Sequence, residues 1–297
     1  MTDNNWTLGI LGGSGLYDLD GLENPEWIEI DTPWGKPSDA ILFAELEGVK
    51  LRFLPRHGRG HKLSPTSVNY RANIDALKRA GCTDILSLSA VGSLQEPYAP
   101  GDFVIVDQFI DRTFAREKSF FGPGMVAHVS VADPVCDRLA RLAGNAAIAA
   151  GAHVHRGGTY LAMEGPQFST RAESELYRGW RCDVIGMTNM PEAKLAREAE
   201  LPYATVAMVT DFDCWHPGHE NVDVFAVIAT LTKNAEIAKG TVREIIKIIA
   251  QTPRTPSPAG IETNLDAALI TAPDARDPKV LAKLDAILAR VLGADKA

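Results

Sequence analysis

Short apolar runs alternate with helical patterns along the whole chain. This alternation is typical of an α/β fold in which helices flank a parallel or mixed sheet. The apolar runs that predict strands cover residues 7–11, 40–46, 50–54, 84–88, 104–107, 159–163, 184–187 and 203–209. Patterns with a period near 3.6 residues predict helices at 69–80, 133–150, 191–199, 222–249 and 280–292.

Local signals mark the ends of several of these elements. Glu47-Gly48 lies between two apolar runs and predicts a hairpin turn. Gly81 follows the first helical pattern at the position of a C-cap glycine. Thr170 and Glu173 fit a capping box that opens another helix, and Pro191 stands at the start of the next.

The domain organisation follows from length and from proline content. A chain of 297 residues with 45% hydrophobic residues can bury a substantial core. Three prolines within 251–260 indicate a linker. We therefore predict one domain over residues 1–250, followed by a Pro-rich linker and C-terminal helical extension over 251–297 that packs back on the body.

Charge and composition exclude several classes of function. The formal net charge is −8, so the basic surface that nucleic acid or an anionic membrane requires is absent. No apolar run approaches the roughly 20 residues that span a bilayer, and no N-terminal secretion signal is visible. We interpret the four separated cysteines as reduced, and we expect a cytoplasmic protein.

Two carboxylates follow the apolar run that ends at Val209. On an extended backbone Asp211 and Asp213 would point to the same side. Two acids so close in a dry pocket cannot both ionise cheaply, so one should keep its proton near neutral pH. Such a pair can donate to a ring nitrogen and accept from an amino group, as an adenine-like base requires. An acidic loop or a metal-binding pair is the alternative interpretation of the motif alone.

Hydroxyl groups, glycines and one Arg-His pair follow several other predicted strands. Glycine lets backbone N–H groups approach an anion closely, and the arginine fork matches phosphate oxygens. Each motif is weak alone, but together they offer what a phosphate or similar anion requires. The residues concerned are Ser14 within Gly12–Gly15, Arg56, His57, Ser89, Ala90 and Thr188.

The remaining histidines give no strong metal-binding pattern. His153 and His155 are spaced as neighbours on a strand, and His216 and His219 could share a helical face. We interpret them as surface or loop histidines and predict no metal.

Eight multi-residue runs, in order from Gly9 to about residue 250, resemble the 5′-methylthioadenosine phosphorylase family, which belongs to the trimeric type of purine nucleoside phosphorylases. The tail beyond Thr252 lies outside the matched region. The runs are Gly9–Leu16, Asp31–Ser38, Arg56–Arg59, Val68–Asn73, Pro100–Asp102, Asp107–Thr113, Glu164–Ser169 and Thr210–Trp215.

The resemblance implies a single-domain nucleoside phosphorylase fold, with a central mixed β-sheet flanked by helices, assembled as a homotrimer. It implies phosphorolysis of S-methyl-5′-thioadenosine: phosphate attacks C1′ and adenine leaves. Inorganic phosphate would be a co-substrate, and no cofactor is expected. The partners would be the nucleoside and phosphate, with no nucleic acid and no membrane.

The resemblance also implies roles for individual residues. Met187 would pack beneath the ribose, and Phe168 would lie against the purine with Ser169 nearby. Asp211 would protonate or hydrogen-bond N7, and Asp213 would accept from the N6 amino group. The phosphate would be held by Ser14, Arg56, His57, Ser89, the Ala90 amide and Thr188.

Three further residues would select the 5′ group. Val224 and Val227, one helical turn apart, would line the methylthio pocket. His128 would reach over the 5′ end from a neighbouring subunit.

Other functions are less consistent with these residues. A phosphorylase for 6-oxopurine nucleosides or methylthioinosine would suit an asparagine better than the carboxylates of Asp211 and Asp213. A hydrolytic nucleosidase has no use for an anion site around Arg56. A catalytically silent binding protein should have lost the acid or the anion donors, and both are intact.

Overall fold

The computed structural model describes residues 6–13, 16–216 and 224–293, apart from the side chains of 224–227 and 229. Eleven strands within these ranges form one sheet. In chain order they are β1 (Thr7–Gly12), β2 (Glu23–Ile28), β3 (Ile41–Leu46), β4 (Val49–Pro55), β5 (Asp84–Ser93), β6 (Phe103–Ile105), β7 (Gln108–Arg112), β8 (Val154–Arg156), β9 (Thr159–Met163), β10 (Val184–Gly186) and β11 (Tyr203–Asp211).

The sheet is mixed and it branches at β5. Its main path runs β2-β3-β4-β1-β5-β10-β9-β7. The strands β1, β4, β5 and β11 run parallel, whereas β10 is antiparallel to β5. From β5 a second path leads through β11 and β6 to β8. The predicted α/β class with a mixed sheet is confirmed.

Helices cover both faces of this sheet. They are α1 (Tyr70–Arg79), α2 (Asp137–Ala149), α3 (Arg171–Gly179), α4 (Asn189–Glu198), α5 (Val224–Ala250), α6 (Pro278–Lys283) and α7 (Asp285–Leu292). Alternate residues of β5 point to opposite faces: Ile85 belongs to the core with α1, α4 and α7, and Leu86 to the core with α2 and α5.

Most predicted boundaries agree with the structure within a few residues. The capping box is present in full, with Thr170 accepting from Glu173 N and the Glu173 side chain accepting from Thr170 N. The predicted turn has Glu47 and Gly48 both at positive φ, and Gly81 takes the left-handed conformation after α1. The predicted terminal helix is instead two helices, α6 and α7, which meet at Leu284.

The sequence analysis missed short strands that carry little apolar pattern. β2 is largely exposed and contains a proline, which is tolerated at the edge of a sheet. β7 and β8 are only five and three residues long, and neither contains a fully buried residue. Runs this short cannot be told from loops by hydrophobic periodicity.

The C-terminal extension packs on the body, as predicted. The indole N–H of Trp6 donates to Thr252 O at 2.8 Å, and Arg254 pairs with buried Asp84 at 2.6 Å. α7 contributes Ile287 and Leu288 to the core with α1. The boundary near residue 250 stays a prediction. Among the described residues, no helix has the length and apolar character that a membrane crossing requires.

Candidate active site

A cavity of about 540 Å³ opens at the carboxyl ends of β1, β4, β5 and β11. In open α/β sheets this edge is where ligands bind, because several loops converge there. Most of the predicted site residues line it. They are Arg56, His57, Ser89, Ala90, Phe168, Met187, Thr188, Asp211 and Asp213.

The branch of the sheet shapes this cavity. After Val91 the register between β5 and β11 shifts so that Gly92 pairs with Asp211, and the end of β5 (Gly92 and Ser93) also pairs with β10. Two glycines allow the close approach that follows. A Cβ on Gly92 would lie 2.9 Å from Asp211 Oδ1, and a Cβ on Gly186 would overlap the hydroxyl of Tyr160.

Asp211 and Asp213 both face the cavity, but not for the reason that the sequence suggested. β11 ends at Asp211, and Asp213 lies in a turn with φ of 51°. Strand alternation therefore does not align the two acids, and that part of the prediction was wrong. A bulge opposite Gly92 and a hydrogen bond of 2.8 Å from Asp213 N to Asp211 Oδ1 bring them together instead.

Both acids titrate above their ordinary range. Burial raises the pKa of Asp211, and hydrogen bonds from Thr210 and from Asp213 N only partly oppose it. Burial also raises the pKa of Asp213; the nearby hydroxyl of Ser174 opposes this rise, and the negative charge of Asp211 adds to it. Within the described chain, Asp213 Oδ2 is buried without a hydrogen-bond partner. A buried acceptor left unpaired is costly, so a ligand donor at this position would be favoured.

Two lining residues of the cavity, Ser89 and Thr188, carry hydroxyl groups, and the hydroxyl of buried Tyr160 lies next to Ser89. Ser89 Oγ lies 3.2 Å from Thr188 Oγ1 and 3.1 Å from the hydroxyl of Tyr160. Burial raises the pKa of Tyr160, so this phenol stays neutral and can donate. Ser89 and Thr188 were predicted from the sequence. Tyr160 was not, because it lies within the largely apolar β9 and its partner Ser89 is 71 positions away in the chain.

Arg56 is buried and is held mainly by the protein. Its Nε donates to Glu192 Oε2 at 2.7 Å and its Nη2 to Glu192 Oε1 at 3.0 Å. Nη1 donates to Leu88 O at 3.0 Å, and Nη2 also reaches Ser87 Oγ at 2.6 Å. Burial alone would lower the pKa of Arg56, but the Glu192 carboxylate outweighs it and raises that pKa above its ordinary value.

The sequence analysis missed Glu192, which changes the role expected of Arg56. Of the five guanidinium N–H groups, at most one on Nη1 is left for a ligand among the described contacts. The bidentate fork predicted for an anion is therefore used on Glu192. Glu192 also accepts from Ser87 and from the hydroxyl of Tyr203.

His57 is neutral in this environment. Burial, helped by the charge of Arg56, lowers the pKa of His57 to about 4. Its Nδ1 lies 2.9 Å from the carbonyl oxygen of Leu63, so Nδ1 carries the proton and donates. Nε2 is then an acceptor. His61, which also lines the cavity, stacks on His57 with 4.3 Å between ring centroids.

Apolar side chains form the middle of the cavity. Met187 lies against Gly165, where a Cβ would approach its sulfur to 2.4 Å. Phe168 is half exposed at the rim. Ser169 does not line the cavity; its hydroxyl lies 3.7 Å from the sulfur of Met163, which does.

Besides Ser169, four predicted site residues are not placed at this cavity by the described structure. Ser14 and the side chains of Val224 and Val227 lie outside the described residues, as does His219. His128 is exposed and does not line the cavity of its own chain. Its backbone N–H donates to Ala268 O at 2.9 Å, which ties this loop to the C-terminal extension.

Comparison with known proteins agrees with this geometry. Residues 7–247 match the family model described as the phosphorylase superfamily. The S-methyl-5′-thioadenosine phosphorylase of Cereibacter sphaeroides is 63% identical over 96% of this chain and 98% of its own. The enzyme of that name from Rhodospirillum rubrum is 60% identical over 96% and 97%. The chain belongs to the S-methyl-5′-thioadenosine phosphorylases.

Solved structures of methylthioadenosine phosphorylases share the fold. One from an antarctic soil metagenomic library superposes with a TM-score of 0.89, at 49% identity over 96% of this chain and 99% of that one. The Schistosoma mansoni enzyme in complex with adenine gives 0.83, at 37% identity over 89% and 98%. The predicted nucleoside phosphorylase fold is therefore confirmed.

A second group that the sequence analysis missed supports the rim of the phosphorylase cavity. Arg116 Nη1 donates to the carbonyl oxygens of Met187 and Met190, both at 2.7 Å, and its Nε pairs with Glu164 at 3.0 Å. Partial burial opposes ionisation of Glu164. The hydrogen bonds that its carboxylate accepts, of which that from Thr66 has the largest effect, outweigh burial and lower its pKa to about 2. The Glu164–Ser169 motif was the only sequence signal that could have pointed to this group.

Proposed function

We propose that this protein catalyses the phosphorolysis of S-methyl-5′-thioadenosine to adenine and S-methyl-5-thio-α-D-ribose 1-phosphate. It is a pentosyltransferase, consistent with its membership of the phosphorylases. The observation that carries the proposal is the arrangement of one cavity: a buried pair of acids with raised pKa values on one side, and hydroxyl donors beside Arg56 on the other.

The acid pair suits departure of an amino-purine. As the C1′–N9 bond breaks, negative charge develops on the base, and a protonated Asp211 would neutralise it at N7. Positioned acid catalysis of this kind contributes ~10²–10⁴-fold. Asp213 Oδ2, which is unpartnered among the described residues, would accept from the N6 amino group. A 6-oxo base offers no donor there, so the pair supports an amino-purine over inosine-like substrates.

The hydroxyl side suits a phosphate nucleophile. Ser89, Thr188 and the Ala90 amide would donate to its oxygens, with Ser14 joining them. The acceptor Nε2 of neutral His57 fits a phosphate oxygen that still carries its proton. Arg56 would donate one N–H to the phosphate, and its positive charge is largely balanced by the carboxylate of Glu192. Phosphate is nucleophilic at neutral pH, so positioning supplies most of the rate and no cofactor is required.

The apolar middle of the cavity suits the sugar. Met187 would pack beneath the ribose, and Phe168 would lie against the purine with Ser169 behind it. Val224 and Val227 would surround the methylthio group. Replacing Val224 with a polar residue should then reduce turnover of methylthioadenosine more than that of adenosine; equal losses would contradict this assignment.

We further propose a homotrimer in which His128 of one subunit completes the site of its neighbour. Several large apolar side chains remain exposed on the single chain, which favours an interface. Phe114 is 81% exposed and Trp180 42%. We place the enzyme in the cytoplasm, in purine and methionine salvage. Sedimentation of the purified protein would test the trimer.

Product analysis with and without phosphate tests the central proposal. Methylthioadenosine should yield adenine and a sugar phosphate only when phosphate is present, adenosine should react more slowly, and inosine should react least. Equal cleavage without phosphate would identify a nucleosidase. Faster cleavage of inosine would identify a 6-oxopurine phosphorylase. Binding without turnover would indicate a silent binding protein.

A further inference from the structure

Two histidines and an aspartate meet on one face of the sheet, away from the cavity. His153 Nδ1 lies 3.0 Å from Asp102 Oδ1, and His155 Nε2 lies 2.8 Å from Asp102 Oδ2. β6 and β8 run parallel with Phe103 opposite Val154, so Asp102 lies beside His153. His155 lies two residues further along, within β8, and its side chain reaches the same carboxylate. None of the three lines the cavity.

The three groups are close enough to hold one ion. One ligand atom from each side chain lies within 4.8 Å of the other two. A tetrahedral ion with bonds of about 2.1 Å would place its ligand atoms about 3.4 Å apart. A small movement of the three side chains toward one another would therefore suffice to bind it. Both imidazoles already direct a nitrogen at the same carboxylate, and an ion placed between them would satisfy all three groups at once.

The three side chains differ in solvent exposure and in the contacts that orient them, as a metal site requires. Asp102 and His155 are sheltered, with side chains 13% and 18% exposed, whereas His153 is 72% exposed. An ion can therefore enter from solvent past His153 and keep a water ligand. Ala99 N donates to Asp102 Oδ2 at 3.1 Å, and the ring of Tyr98 lies 4.2 Å from that of His155. These contacts orient two of the three ligands.

We propose that Asp102, His153 and His155 form a binding site for a divalent transition metal of the zinc class, with water as a fourth ligand. Two imidazoles and one carboxylate suit Zn²⁺, Ni²⁺ or Cu²⁺, whereas Ca²⁺ and Mg²⁺ prefer oxygen ligands alone. The sequence pattern gives no sign of this cluster, because the third partner, Asp102, lies about 50 residues earlier, directly before β6.

The site is joined to the acid pair through the backbone. Gly101 N donates to Val209 O, and Val209 N donates to Asp102 O, both at 2.9 Å. Val209 precedes Asp211 by two residues and stands at the bulge in β11. A metal that holds Asp102 in place would therefore stabilise the strand end that presents Asp211.

The test is a calorimetric titration of untagged, metal-stripped protein with Zn²⁺ near pH 7.5. We expect one tight equivalent per chain and a rise in Tm with the ion present. The variant His153→Ala should bind at least about tenfold more weakly and lose the rise in Tm, since one of three protein ligands is gone. Because His153 is mostly exposed, this variant should keep the wild-type Tm in the presence of a chelator.

A matched control is His128→Ala, which removes another exposed histidine and should leave the titration unchanged. Cobalt substitution adds a second readout: bands of nitrogen and oxygen ligation should appear without a thiolate charge-transfer band, which excludes the cysteines. The proposal is overturned if no stoichiometric binding occurs, if His153→Ala binds within threefold of the wild type, or if His128→Ala abolishes the site.

Discussion

The backbone N–H of Asp213 donates to the Oδ1 atom of Asp211 across 2.8 Å. The two acids of the cavity are thus linked directly, and the link also fixes the turn in which Asp213 adopts its φ of 51°. Thr210 Oγ1 lies 2.7 Å from the other oxygen of Asp211. Asp211 is therefore held by the protein at both oxygens, whereas Asp213 Oδ2 has no hydrogen-bond partner among the described residues.

Asp211→Asn should reduce kcat/KM for methylthioadenosine by ~10²–10⁴-fold, because an amide cannot transfer a proton to N7. The pH profile gives an independent check. Burial raises the pKa of Asp211, so the protonated form persists to higher pH than in solution. Activity should fall as pH rises through that raised value, and this limb should be absent in the variant. Unchanged turnover would refute the proposed acid.

Asp213→Asn should chiefly change the choice of base. An asparagine can donate to a 6-oxo group, so the ratio of kcat/KM for inosine to that for adenosine should rise. The ratio is measured in phosphate buffer with both nucleosides. A uniform loss for the two substrates would show that Asp213 supports the fold of the turn but does not contact the base.

Tyr160→Phe should weaken phosphate use with little loss of stability. The change removes the hydroxyl that lies 3.1 Å from Ser89 Oγ but keeps the buried ring. We expect a several-fold rise in KM for phosphate, while KM for the nucleoside stays close to the wild-type value. A comparable rise in both constants would indicate a general distortion.

Glu192→Gln should behave differently from Tyr160→Phe, because it leaves Arg56 buried without its counter-charge. Breaking a buried pair of this kind costs about 3–5 kcal/mol. Denaturant unfolding should show the loss as a lower midpoint. A variant with wild-type stability would mean that the Arg56–Glu192 pair contributes little to the fold.

Gly92→Ala should impair catalysis through Asp211. The added methyl group would lie 2.9 Å from Asp211 Oδ1 and 3.2 Å from Ile185, so the carboxylate must move. We expect at least about a tenfold fall in kcat, since small misplacement of a reacting group is costly. Gly179→Ala is the control, because a Cβ there meets no described heavy atom within 4 Å. Equal activity of the two variants would contradict the crowding argument.

Glu198→Gln should flatten the dependence of stability on pH. Burial raises the pKa of Glu198 to about 7, although Ser119 and Phe120 N donate to it at 2.7 Å. The folded state therefore binds more protons than the unfolded state between about pH 4.5 and 7, and this group's stabilisation is present below that range and lost as pH rises.

The glutamine variant cannot release the proton, so its free energy of unfolding should not show that decline. The comparison is made by urea unfolding of both proteins at several pH values. Parallel curves for the two proteins would show that Glu198 does not titrate in this range.

Local signals predicted the parts of the structure that depend on neighbouring residues. The capping box at Thr170 and the turn at Glu47 involve side chains or dihedrals within three residues, so the sequence states them directly. The buried runs that became β1, β5 and β11 were also clear. Because strand ends converge in such folds, the clustering of Arg56, Ser89, Thr188 and Asp211 could be expected as well.

Contacts between distant segments could not be predicted from these patterns. Glu192 meets Arg56 across 136 positions of the chain, and nothing near either residue indicates the other. Tyr160 and Ser89 are 71 positions apart, and Asp102 and His155 are 53 apart. The left-handed conformation of Asp213 likewise depends on the bulge in β11, which has no sequence signature of its own.

The strand β5 contributes Ser89 and Ala90 to the lining of the cavity, and its Gly92 lies beside the acids. Three extended residues span about 10 Å. In the proposed reaction, the separation between the phosphate and the departing base would therefore be set by the covalent length of this one segment. A shift of the surrounding helices would move both groups together and would leave the line of attack unchanged.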